Sequence, residues 1–398
     1  MRRVALLLLA VISAGGAAAG ETRPHYGGVL RVEMQSAPNA LALPDTTDPA
    51  AYWDMARVLS LVGDTLVRVD AEDRPQPGLA IEWQRDATAR HWQFGLRRGV
   101  KFHDGSAASP AAIAQILGAL HPNWVVQASS SSGGTGAAAR VGSDGSWLGD
   151  SVAIETDLAS PFLPAELAMA RNSILKRDAN GIPIGTGPFR VTDFQAGKSL
   201  RLAASDESWA GRPFVDVVEI EFGKSLRDEA LALELGRADL VEAEPEAPAS
   251  ARGRVGSSLR VELMALVFTP NSRAQDVRVR EALALAIDRR PIQSVLLKGA
   301  GEPTASILPN WMTGYSAAFS TQPNVARARS LLAEARPAEM TLSYDARDPE
   351  AELIAERIAL NAREAGITVR VSLSGSEDIR LVRIALPTPD AALALREA

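Results

Sequence analysis

The sequence predicts an α/β protein of mixed sheets flanked by helices, and three observations carry that prediction. Short segments in the first half alternate apolar and polar residues with period two, as half-buried strands do. From Arg260 onward, strands alternate with helices that each carry one apolar stripe, the order of a largely parallel sheet. The length, 398 residues, suits two or three domain-sized cores.

The first residues stand outside that fold. Arg2 and Arg3 form a basic n-region, Ala5 to Ile12 a short apolar run, and Ala17-Ala18-Ala19 small residues for cleavage. Residues 1–19 therefore read as a secretory signal peptide cleaved near Ala19, too short and wrongly flanked for a membrane span. An exported, periplasmic protein is expected. "GGVLRVEM", "DTLVRVD" and "RHWQFGLR" then alternate as strands. Ser109-Pro110 looks like an N-cap with proline at the first helical position, followed by Ile113, Ile116, Leu117 and Leu120 at helical spacing.

Residues 128–149, rich in Ser, Gly and Ala, read as a flexible surface loop. "SVAIETD", "GTGPFRVTDF", "SLRLAAS" and "VDVVEIEF" read as strands. Ser225 with Asp228 resembles a capping box for a helix that Gly236 closes. Further on, "RVELMALVF" is a long strand, Asp276 caps a helix with Val279, Leu283, Ala286 and Ile287 on one face, and another helix runs through Val325 to Ala335. "MTLSYD", a helix with Ile354, Ile358 and Ala362 ended by Gly366, and "ITVRVSL" complete a strand–helix–strand unit.

Composition excludes several functions. The chain has no cysteine, which rules out disulfides, thiolate chemistry and the acylated cysteine of a lipoprotein. The four histidines, His25, His91, His103 and His121, are not spaced as a ligand pair, so no metal and no cofactor are expected. A net charge of −6, more negative still once Arg2 and Arg3 leave with the leader, argues against nucleic acid and anionic membranes as partners.

No catalytic set emerges either. "GKS" at Gly197 to Ser199 lacks the first glycine of a phosphate loop and precedes a strand, so no helix N-terminus would hold phosphate. "GDS" at Gly149 to Ser151 opens an ordinary strand, and no histidine follows His121 to serve as its base. "RRGVKFHDG", Arg97 to Gly105, sets His103 beside Asp104, but adjacent residues in a turn point apart. Its chemistry is that of a turn, with Phe102 packed beneath and the three bases on a solvated rim.

Longer strings carry a resemblance. "PGLAIEWQRDATARHWQFGLRRGVKFHDG", "PIGTGPFRVTDFQAGKSLRLAASDESWAGRPFVDVVEIEF", "ALALELGRADLVE", "DVRVREALALAIDRRPI" and "ARARSLLAEA" resemble, segment by segment, the extracellular solute-binding proteins of family 5. These are the dipeptide-, oligopeptide- and nickel-binding components of ABC importers. The resemblance runs from about Gly27 to Leu395. It implies a non-enzymatic, two-lobed periplasmic binding protein of type II, a monomer that encloses a small solute and delivers it to membrane permease subunits. Lobe I is expected over residues 20–257, with an extra strand-rich subdomain, and lobe II over residues 258–398. By position, the resemblance makes Asp48, Tyr52, Trp53, Trp311, Met312, Ile384, Ala385 and Leu386 the ligand-binding candidates.

The departures are specific. Peptide binders usually carry "GW-ADY-DP", whose aspartate pairs with the peptide's α-amino group. "RIALPTPDAAL", Arg383 to Leu393, stands there with no acid at that place, so weak binding of ordinary peptides is expected. The helix that usually follows "GI-V-V" is missing after Ser374, and lobe II is expected to be shortened, without the usual return to lobe I. Two other readings remain: a degenerate clamp acting as a sensor or interaction module, and a secreted hydrolase, which would need a catalytic set that the sequence does not show.

Overall fold

The computed structural model describes residues 25–70, 72, 74–130, 140, 141, 147–242, 261–312, 315, 320–335, 338–348, 350–373, 377–388, 391, 393 and 394. The expected leader and the expected lobe boundary near residues 257 and 258 lie outside the described residues.

In chain order the elements are β1 (Val29–Glu33), α1 (Pro49–Val62), β2 (Val67–Val69), β3 (Pro75–Pro77), β4 (Ala80–Arg85), β5 (His91–Leu96), α2 (Pro110–Leu120), β6 (Val125–Ser129), β7 (Arg140–Val141), β8 (Trp147–Leu148) and β9 (Ser151–Glu155). Then come α3 (Leu163–Leu167), β10 (Lys176–Arg177), β11 (Pro183–Ile184), β12 (Phe189–Gln195), β13 (Ser199–Ala204), β14 (Val217–Glu221) and α4 (Leu226–Glu234). The last region holds β15 (Glu262–Phe268), α5 (Val277–Ala286), α6 (Arg289–Pro291), α7 (Val325–Ala335), β16 (Met340–Ser343), α8 (Ala351–Ala365), β17 (Val369–Ser372) and β18 (Ile379–Ala385).

Three four-stranded sheets among the described residues each support a core. The first has the order β1-β14-β13-β12, with β1 parallel to β14 and the other pairs antiparallel. Strand alternation turns Val32, Leu200, Leu202, Val218 and Ile220 to one side, where they bury Met55, Val58, Leu59 and Val62 of α1. The second, β4-β5-β9-β6, is antiparallel and packs Phe94, Leu96, Val152 and Ile154 against Ile113 and Leu117 of α2 and Leu163 and Leu167 of α3. Ser109 caps α2 as expected, its Oγ accepting from the Ala112 N–H at 3.2 Å.

The expected loop over 128–149 is corrected in part. β6 continues to Ser129 on the edge of the second sheet, and Arg140–Val141 pairs with Trp147–Leu148. Cross-strand pairing supplies backbone bonds that a Ser- and Ala-rich composition does not advertise. Residues 131–139 and 142–146 lie outside the described residues.

The third sheet has the order β15-β18-β16-β17, in which β16 is parallel to both neighbours and β15 is antiparallel to β18. Residues of one parity, Met340, Leu342, Val369, Ile379 and Leu381, join Leu283, Leu332, Ile354 and Ile358 of α5, α7 and α8 in one core. The other parity is mostly polar: Thr341, Ser343, Arg370, Ser372 and Arg380. One face of the sheet is therefore covered by helices, and the opposite face carries residues that tolerate water.

"RRGVKFHDG" does more than turn. Phe102 is buried, Gly105 takes φ 82°, and Asp104 accepts from the Ser106 N–H at 3.1 Å, as a turn requires. His103, however, clamps the loop between β11 and β12. Its N–H donates to the Gly185 carbonyl at 2.9 Å, its Nδ1 accepts from the Gly185 N–H at 3.3 Å, and its Nε2 lies 2.9 Å from the Gly187 carbonyl. With Nδ1 accepting, the proton sits on Nε2 and the ring is neutral. Nor do the bases all sit free on a rim. Arg97 lies over the Trp209 ring at 4.3 Å, Arg68 lies over the same ring at 4.9 Å, and Lys101 pairs with Glu207 at 2.9 Å. The Trp209 indole donates to buried Asp64 at 2.8 Å, and the Thr186 hydroxyl donates to the same carboxylate at 2.9 Å. These bonds tie the first sheet's loops to the second sheet.

Candidate ligand-binding cleft

The clamped loop fixes α1 from behind. A Cβ on Gly185 would lie 2.0 Å from the Val62 carbonyl oxygen, and one on Gly187 would lie 2.7 Å from that of Leu61. The loop thus presses backbone against backbone at the C-terminal end of α1, and only glycine permits that approach.

The other end of α1 points toward the third sheet. Asp48 caps it, Oδ1 accepting from the Ala51 N–H at 3.3 Å, with Pro49 at the first helical position. The second carboxylate oxygen of Asp48 receives Arg347 Nη1 at 3.0 Å, across 299 positions of sequence. Arg347 also binds Asp345, 2.6 Å from Nη2 to Oδ2. The hydrogen bonds to Asp345 and the field of Asp48 raise the guanidinium above its ordinary pKa, so its charge is fixed. Just before the helix, the Thr46 carbonyl accepts from the Ala385 N–H at 2.8 Å, and α1 packs against β18. Beside it, Arg383 donates from Nε to Asp348 at 2.6 Å and from Nη2 to Glu350 at 2.8 Å.

The residues expected from sequence divide into two groups. Asp48, Tyr52 and Trp53 lie together on the first turns of α1, and Ile384, Ala385 and Leu386 close β18 beside Thr46. Tyr52 is buried and meets Trp53 edge to face, with ring centroids 5.5 Å apart. The Trp53 Nε1 is buried with no hydrogen-bond partner among the described residues, an orphan donor that a ligand oxygen would satisfy. Ile384, Ala385 and Leu386 are buried themselves, and Leu386 packs with Leu308, Met312 and Ala394 in a small separate core. Of the pair in the "PNWMTGY" loop, Met312 is inside that core while Trp311 is 57 % exposed.

Sequence reading missed the polar half of this junction: Thr46, Arg347, Arg383, Asp348 and Glu350. The dense charge of "DARDPE" before α8 was the available signal, but partners nearly 300 positions away leave no local trace. Among the described residues, no group of three or more ligating side chains could hold a metal ion, and no helix is long and apolar enough to cross a membrane.

The chain as a whole resembles known proteins. The description "Bacterial extracellular solute-binding proteins, family 5 Middle" matches residues 74–383. The nickel-binding protein NikA of Staphylococcus aureus is 27 % identical over 240 residues, 56 % of this chain and 48 % of that one. The dipeptide-binding protein of Escherichia coli is 25 % identical over 344 residues, 74 % of this chain and 62 % of that one. The chain spans about half the length of the curated relatives it matches. Among solved structures, the binding protein AgaA of A. tumefaciens R10 in complex with agropinic acid superposes with a TM-score of 0.73 at 22 % identity, covering 92 % of this chain and 79 % of that one. At that identity the likeness is one of fold.

Proposed function

The chain belongs to the bacterial extracellular solute-binding proteins of family 5, and from that premise we propose that it captures a small solute between two lobes and delivers it to the membrane permease of an ABC-type importer. Lobe I comprises the first two sheets, residues 20–257, and lobe II the third, residues 258–398. The observation that carries this reading is the junction at the N-terminus of α1, where Asp48 meets Arg347 and Thr46 meets Ala385. A capture protein needs groups from both lobes to converge, because contacts to both are what drive closure. The orphan Trp53 Nε1 beside that junction supplies a donor for the solute. The chemistry is binding alone, without a covalent step. Export follows from the leader, with the mature chain beginning near Gly20; N-terminal sequencing of the periplasmic protein checks that start.

The junction also bears on solute class. Its arginines already take up Asp48, Asp345, Asp348 and Glu350. Ile384 to Leu386 stand where peptide binders place the acid that holds an α-ammonium. An ammonium entering this site would lack a dedicated partner, a loss of about 2–5 kcal/mol for a buried charge. Ordinary dipeptides should therefore bind weakly. Native mass spectrometry of the exported protein should show a co-purified small molecule, and calorimetry should show little heat with a simple dipeptide. Tight dipeptide binding would overturn the solute class, and failure of every tested solute to raise the melting temperature would overturn capture itself.

A further inference from the structure

A groove on the third sheet, away from the α1 junction, has its own chemistry. Pro291, Val295 and Leu296 form one wall, α8 another, and the edge strand β17 its floor, enclosing about 750 Å³. Val295, Leu353 and Leu360 line it while exposed by 69 %, 59 % and 44 %, an apolar concentration that surfaces seldom show without a partner. Arg357, Arg363 and Arg370 line the same groove, and none has a side-chain hydrogen bond or ion pair among the described residues. The Nε of Arg357 is buried without an acceptor. Against these three cations stand Glu339 and Glu356, which leaves an excess of positive charge.

We propose that this groove docks an extended acidic segment of a partner protein, added as a strand along β17. Strand β17 is last in the sheet order, so one side of its backbone has no neighbouring strand among the described residues. An added strand must alternate as β17 does. One parity would face α8, resting apolar side chains on Leu353, Leu360 and Val295. The other would lie beside Arg370, which is exposed on the opposite face, and opposite charges across a strand pair favour each other. Arg357 and Arg363 supply charge on the helix side. A basic segment would set its charges beside Arg370, within the field of Arg357 and Arg363, and gain nothing.

The test uses two labelled hexapeptides with blocked ends, one alternating valine and glutamate, the other valine and lysine, added to the full chain. Fluorescence anisotropy should show binding of the acidic peptide alone. That binding should weaken by about tenfold or more in Arg363→Glu/Arg370→Glu and fall away at about 0.5 M salt. Hydrogen exchange should slow at Thr368 to Val371 when the acidic peptide is present. Equal binding of both peptides, or binding that ignores the two substitutions, would overturn the proposal. Protection confined to Thr46, Asp48 and Ala385 would place the peptide in the cleft and overturn it as well. Vesicles containing phosphatidylglycerol that bind through the same arginines, with no peptide binding, would mark a membrane-facing surface instead. Unchanged circular dichroism of the variant keeps each outcome readable.

Discussion

Two titratable residues, half-buried His103 and fully buried Glu229, set opposite pH trends. His103 is held neutral because burial lowers its pKa below the ordinary 6.5. The unfolded chain then binds the proton more readily than the native one, so stability is full above about pH 6.5 and declines as pH falls below it. Glu229 behaves the other way. It is fully buried on α4, its Oε2 accepts from the Glu242 N–H at 3.0 Å, and its Oε1 has no partner among the described residues. Burial first, then the like charges of Glu242, Glu33 and Asp54, push it up to about 8. Its native proton stabilises fully below about pH 4.5, and that contribution is lost as pH rises through about 8. Thermal melts should therefore show Glu229→Gln losing the alkaline decline while keeping the acid one, and His103→Gln doing the reverse. Identical pH profiles for both variants and the parent would refute the assignment. Local pattern showed neither role: His103 read as one residue of a turn, and its partners lie more than 80 positions away.

At the scale of elements, the loop between β11 and β12 leaves little room for an added Cβ. Gly185→Ala would drive a Cβ into the Val62 carbonyl and shift the end of α1, so a loss of about 3 kcal/mol is expected in urea unfolding. Gly181→Ala in the same region meets no atom within 4 Å and should lose less, the cost of its positive φ alone. Equal losses for the two would show that backbone contact at Gly185 is not what matters. The elements were largely legible in sequence because period two and period 3.6 are local. The Ser109, Ser225 and Asp276 caps and the left-handed Gly366 after α8 stand where the residues announced them. Helix α1 was overlooked although Asp48-Pro49 is a helix start and Tyr52, Met55, Leu59 and Val62 follow at helical spacing. Within the candidate cleft, position in the resemblance led to Asp48 and Trp53. The arginine that meets Asp48 could not be read, since pairing across the chain is a property of the fold.

For the whole molecule, the link between Asp48 and Arg347 joins the first sheet's helix to the loop between β16 and α8. Arg347 is 73 % exposed, so water and salt screen the pair, and such bridges are worth about 0–1 kcal/mol. That is too little to hold a fold together, but enough to bias the proposed closure of the two lobes, since populations shift by similar energies. The Ala385 N–H to Thr46 carbonyl bond, 2.8 Å, makes a second link at the same place that does not depend on the bridge's charges. Asp48→Asn keeps the cap on α1 while discharging the link, and Arg347→Gln discharges the other side. Small-angle scattering of the solute-free protein at low salt should then show a larger radius of gyration for either variant, and no further growth for the double substitution. Raising the salt should expand the parent toward the same value, because screening removes what the substitutions remove. Additive effects of the two substitutions would mean that the residues act separately, and an unchanged radius at every salt concentration would mean that the bridge has no part in lobe closure.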